Sequence, residues 1–104
     1  MTTKRRASEF LEELDGPLTF GAALAALRES DEQSLAAFAR RLRVSRQHLC
    51  DIEQGRKVVS AERAARFARA LKQPEQVFVK LALDDALRAA KLKYAVELHA
   101  IQAG

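Results

Sequence analysis

An all-α fold is predicted by three features of this sequence. Alanine and leucine dominate 104 residues that hold only four glycines and two prolines, a composition suited to closely packed helices with short connections. Apolar residues recur at helical spacing along most of the chain. Most of these runs begin at a serine or threonine placed as a helix cap, and the last begins at a proline. A chain of this length has room for one domain with one core.

The elements follow in order. Ser8 caps a short helix carrying Phe10, Leu11 and Leu14, which Asp15-Gly16-Pro17 ends. Thr19 caps a helix with Phe20, Ala23, Leu24 and Leu27 on one face, and Ser30-Asp31-Glu32-Gln33 breaks it. Ser34 caps the next, with Leu35, Phe38, Ala39 and Leu42 inward. After Arg43-Val44, Ser45 caps a helix that turns Leu49 and Ile52 inward and stops at Gly55. Ser60 caps another, carrying Ala64, Phe67, Ala68 and Leu71. Gln73-Pro74 separates it from a helix that begins near Glu75 and carries Val77, Phe78, Leu81 and Leu87. In Leu92–His99 the period changes to two, with Leu92, Tyr94, Val96 and Leu98 alternating with more polar positions, which reads as a strand. A lone strand in a helical chain pairs with another molecule or does not form.

Charge narrows the function classes. The net charge is +4, yet residues 40–72 hold ten basic and three acidic side chains, a local +7. Positive charge is thus concentrated where a polyanion would dock, although a solvated surface has the same composition. No apolar run approaches the ~20 residues of a membrane span, so no membrane partner is expected. The start, MTTKRRASEF, lacks an apolar stretch and predicts no secretory signal. A single cysteine, Cys50, excludes an internal disulfide and suits a reducing cytoplasm. It is accompanied by no metal-ligand cluster or phosphate loop, and Asp84-Asp85 are adjacent helical positions pointing about 100° apart. Neither an enzyme nor a cofactor is expected.

Ser34 to Gly55, SLAAFARRLRVSRQHLCDIEQG, reads as two short helices joined by a turn of about three residues, a helix-turn-helix. Arg46, Gln47, His48, Cys50, Asp51 and Gln54 form the exposed face of its second helix. Arg46 and Gln47 stand at the end that enters the major groove first, where arginine pairs with guanine and glutamine with adenine. Asp51 either reads a base or orients a neighbouring arginine, and His48 either reaches DNA or is merely exposed. Arg63, Arg66 and Arg69 fan around the next helix, a solvated face for at least two of them. Lys4-Arg5-Arg6 is an arm for DNA or a solubilising charge run.

Ser34, Phe38-Ala39, Val44-Ser45-Arg46, Leu49 and Ile52-Glu53-Gln54-Gly55-Arg56-Lys57 resemble the lambda-repressor-like, or XRE, family of helix-turn-helix regulators over about Phe20 to Leu81. The resemblance implies base contacts from Arg46, Gln47 and Asp51 and phosphate contacts from Gln54, Arg56 and Lys57, with Ser34, Ser45 and His48 on the same surface. Three positions depart from it. Arg43 stands where the family often has a turn glycine, Leu35 where it often has a DNA-contacting glutamine, and Val59 where it usually has proline.

The expected architecture is an all-α, lambda-repressor-like bundle of about five helices with an extra N-terminal helix and a short C-terminal strand pairing across a dimer. Residues 1–18 form the extension, 19–74 the DNA-binding domain, and 75–104 a segment for dimerisation or partner binding. The expected dimer seam is Val77, Phe78, Leu81, Leu87 and Leu92, with the 92–99 strands paired as in HipB-type antitoxins through Tyr94, Val96 and Leu98. The expected partners are a palindromic double-stranded operator, a second copy of the chain and, for an antitoxin, a toxin protein. Function is then that of a dimeric repressor, or alternatively a type II antitoxin that represses its own operon.

Overall fold

The computed structural model describes residues 18–102, so the expected helix at Ser8 and the basic arm lie outside the described residues. Five helices follow one another: α1 (Phe20–Ser30), α2 (Leu35–Leu42), α3 (Arg46–Glu53), α4 (Ala61–Ala70) and α5 (Glu75–Ala89). This is the all-α bundle that the apolar spacing predicts.

The first four helices begin at the expected caps. Thr19, Ser34, Ser45 and Ser60 are extended, and each side-chain oxygen accepts from a backbone N–H three residues on, at 3.0 to 3.1 Å. Each cap therefore satisfies one of the orphan donors of a first turn. Pro74 opens α5 without a side-chain cap, and Glu75 instead places a carboxylate in the first turn.

The ends share a device that the sequence signals at Gly55 and, through the resemblance, at Arg43, but not at the other three. Each helix closes when the N–H of one residue reaches back to the carbonyl five before it: Gln33 to Arg28, Val44 to Ala39, Arg56 to Asp51, Gln73 to Ala68 and Leu92 to Leu87, at 2.8 to 3.0 Å. This closure requires the preceding residue to be left-handed. Gly55 supplies it once, but Glu32, Arg43, Lys72 and Lys91 adopt it with side chains attached, at φ of 55° to 61°. Each such residue costs about 1–2 kcal/mol relative to a right-handed conformation. Arg43 thus takes the left-handed backbone where the resemblance expects a turn glycine, and carries its strain.

Phe20, Leu24, Phe38, Leu49, Ile52 and Phe67 are fully enclosed. Phe20 lies at the centre, with its ring 6.3 Å from that of Phe67 and edge-on to that of Phe78 at 5.5 Å. Leu35 and Val44, both half-buried, pack against the same core, so Leu35 packs where the resemblance expects a DNA-contacting glutamine. Val59 is buried as well.

Two expectations concern the C-terminal part. Phe78 and Leu81, assigned from sequence to a dimer seam, are 4% and 9% exposed inside the core of the single chain. With Ala82 they form the inward stripe of α5, packed mainly on α4. An i, i+3, i+4 stripe has the same sequence pattern whether it faces its own core or another subunit. Val77, about 100° around the helix, is 52% exposed. From residue 92 to residue 102 the chain is neither helix nor strand, and there is no strand among the described residues. Tyr94 is exposed while Leu87, Val96 and Leu98 are half-buried, and the Gln76 side chain donates to the Leu98 carbonyl.

α1 reaches α3 most closely at Gly21. A Cβ there would stand 2.1 Å from the Ile52 carbonyl oxygen and 2.9 Å from that of Glu53, both backbone atoms. Gly21→Ala is therefore expected to destabilise the domain by about 3 kcal/mol or more, at the upper end of overpacking effects. Urea unfolding followed by circular dichroism measures this as a lowered midpoint.

Candidate nucleic-acid interface

The candidate surface is built on α3. Leu49 and Ile52 bury one side of this short helix, and an ion pair anchors its end. Arg28 on α1 donates through Nε to Glu53 Oε2 at 2.8 Å and through Nη2 to Oε1 at 3.1 Å. Its Nη1 continues to the Gln33 carbonyl at 3.2 Å. The Glu53 side chain is only 5% exposed, and this bond raises the Arg28 guanidinium further above its already high range. A bidentate fork fixes both distance and orientation, so α3 is held against α1 and against the loop leading to α2. Glu53 was legible only as part of the family motif, and its partner lies 25 residues away.

With its inner side fixed, α3 presents Arg46 and Gln47 outward at its N-terminus, both exposed. Arg46 donates to no other described residue. The Ser45 and Ser34 hydroxyl oxygens cap helices, which leaves each hydroxyl proton free to donate outward. Gln54, Arg56 and Lys57 follow in the exposed turn after α3. The residues read from sequence as one DNA-facing surface thus lie on α3, on its flanking turns and at the start of α2.

Asp51 is less free than a base-reading carboxylate. Its Oδ1 accepts from Gln47 Nε2 at 3.1 Å and from Arg56 Nε at 3.0 Å. Of the two roles open to it, orientation of an arginine is the one these contacts display, and the glutamine is added to it. The Arg56 bond and then the Gln47 bond hold the Asp51 carboxyl below the usual carboxylate range, outweighing desolvation.

His48 is half-buried and meets Arg63, whose Nη1 lies 3.1 Å from its Nε2. A guanidinium only donates, so in this contact Nε2 is the acceptor. Arg63 therefore bridges α4 to α3, which the every-third-residue pattern did not reveal. Arg69 pairs with Glu75 at 3.2 Å. Arg41, Arg43, Arg66 and Arg69 line a groove of about 550 Å³ where α2 and α4 both end, and their charges complement the carbonyl ends of these helices. Cys50 is half-exposed with Arg56 Nη2 3.8 Å from its sulfur. Asp84 and Asp85 take separate partners: Lys80 binds Asp84, while Asp85 caps α1 by accepting from the Phe20 N–H at 3.0 Å.

A folded pKa below the unfolded value means that Asp51 contributes stability at neutral pH. That contribution is present above the unfolded value of about 3.9 and is lost as pH falls through the lower folded value. Titration of the Asp51 side-chain carboxyl by NMR is expected to give a midpoint below about 3.9, and Arg56→Ala should move it upward.

No curated protein and no solved structure matches the chain. Residues 19–81 match the family model of a helix-turn-helix domain, from the cap of α1 to the middle of α5. The match spans more than half of the sequence and contains α2, its turn and α3, so the chain belongs to the helix-turn-helix domain family.

Proposed function

We propose that this DNA-binding protein is a dimeric, sequence-specific repressor that occludes its promoter. One observation carries this reading: the N-terminus of α3 presents Arg46 and Gln47 to solvent while its opposite side is fixed by core packing and by the Arg28–Glu53 fork. A helix so held keeps its polar side chains in register with base edges. Arg46 reads guanine and Gln47 adenine. Ser34, Ser45, His48, Gln54 and Lys57 hold phosphates beside them, as does Arg56, with Asp51 behind the readers.

One copy covers one half-site, and two recognition helices about 34 Å apart would span one turn of a palindromic operator. The dimer is assigned to residues 92–99, whose alternating pattern is strand-forming and whose backbone makes no sheet among the described residues. Antiparallel pairing with a second copy would satisfy those groups, and Val77, Leu87, Leu92 and Tyr94 supply the apolar area beside them. Of the seam expected from sequence, Phe78 and Leu81 are buried in the core of the single chain and are left out of this proposal. A second reading, an antitoxin that also binds a toxin, is favoured by the exposed apolar residues on the same segment, Tyr94 at 72% and Ile101 at 94%. The reducing cytoplasm is the compartment that fits either role.

Selection of duplexes from a random pool is expected to yield a palindrome, and Arg46→Ala plus Gln47→Ala should abolish the preference at the contacted bases. A palindrome recovered unchanged with the double variant would sink the base assignment. Deletion of residues 92–104 should convert a dimer to a monomer in sedimentation equilibrium. An unchanged dimer would refute the strand pairing.

A further inference from the structure

We infer that Asp51 couples a phosphate contact made by Arg56 to a base contact made by Gln47, so that gripping the DNA backbone and reading one base pair are linked. The inference rests on the DNA-reading role proposed above and adds a positioning residue to it.

The geometry is a chain of three side chains on one face. Gln47 and Asp51 are one turn apart on α3, the spacing at which helical side chains meet. Gly55, at φ 79°, turns the backbone after α3. The Arg56 N–H closes onto the Asp51 carbonyl at 2.8 Å, which brings the Arg56 side chain back alongside Asp51. A single carboxylate oxygen, Oδ1, then receives Gln47 Nε2 at 3.1 Å and Arg56 Nε at 3.0 Å. Arg56 Nη2 also lies 3.0 Å from that oxygen, which leaves the Nη1 amino group outward.

Each end of this chain gains from the middle. Rotating the Gln47 amide by half a turn would set its carbonyl oxygen against the carboxylate, acceptor against acceptor. Asp51 therefore fixes the amide with Oε1 and one N–H outward, the acceptor and donor pair that matches adenine N6 and N7. Arg56 in turn neutralises a carboxylate that would otherwise face a polyanion, and its free N–H groups fit a backbone phosphate. Lys57, the next residue, is a point charge with no described hydrogen bond to this chain of contacts and serves as the comparison.

The test measures the affinity of the full chain for its selected duplex, and for the same duplex with the Gln47 base pair exchanged, between 50 and 200 mM salt. Gln47→Ala identifies the pair by loss of a preference of roughly 5- to 150-fold. Lys57→Ala should weaken both duplexes equally and reduce the salt slope by about one. Arg56→Ala should reduce the slope and also lower the preference toward that of Gln47→Ala. Asp51→Ala should lower the preference without reducing the slope, and Asp51→Asn, which keeps an acceptor oxygen, should restore much of it. Circular dichroism verifies that each variant is folded. Arg56→Ala behaving like Lys57→Ala, or a folded Asp51→Ala keeping the full preference, overturns the coupling alone. A wild-type chain that selects no sequence overturns the DNA reading and the coupling with it.

Discussion

Where α1 crosses α3, the two backbones approach so closely that only a hydrogen at the Gly21 Cα fits against the carbonyls of Ile52 and Glu53. The rest of the domain is arranged around that crossing. It brings Phe20, one residue earlier, under the rings of Phe67 and Phe78, and so seats α4 and α5. Two turns further along α1 it brings Arg28 within reach of Glu53, and the fork between them fixes how far α3 can roll. Asp85 then reaches from α5 to cap the start of α1, so the helix at the centre is held at both ends by side chains from other elements. A larger residue at position 21 would separate the helices and lengthen all of these contacts together.

Helix starts and the inward faces of the first four helices were legible in the sequence, because both depend on neighbours a few residues away. Thr19, Ser34, Ser45 and Ser60 are local signals with a local mechanism. Helix ends were legible from the polar break Ser30-Asp31-Glu32-Gln33, from Gly55 and from Gln73-Pro74, but the left-handed closure was marked by composition only at Gly55. At Glu32, Arg43, Lys72 and Lys91 the left-handed residue has no compositional mark, and the back-turned hydrogen bond rather than side-chain preference imposes it. The stripe of Phe78 and Leu81, expected at a dimer seam, lies in the core of the single chain for a related reason. Helical spacing identifies a buried face but is silent on whether the same chain or another one buries it. The period-two run at 92–99 describes a capacity to pair, and within one chain it finds no partner strand.

The candidate site shows the same division. Arg46 and Gln47 could be placed from the motif alone, since the turn before them sets their position on α3. The contacts around them were hidden because they join distant parts of the chain or depend on backbone closure. Arg63 reaches His48 from another helix, and Arg56 returns to Asp51 only because the chain reverses at Gly55. The two acids of α3 are thereby used differently. Glu53 is nearly enclosed and binds α3 to the domain, whereas Asp51 stands at the surface and organises the groups beside it.

The place of Phe78 and Leu81 inside the core also bears on assembly. Their burial closes the apolar interior without help from another molecule, so in the proposed dimer a second copy would meet a finished domain rather than half of one. Folding is then a first-order event, set by the chain alone, and association a second-order one, set by abundance. On that proposal, a cell that makes little of the protein would hold folded single chains, each covering at most half of the proposed operator. Making more would change how many pairs exist without changing how many chains are folded.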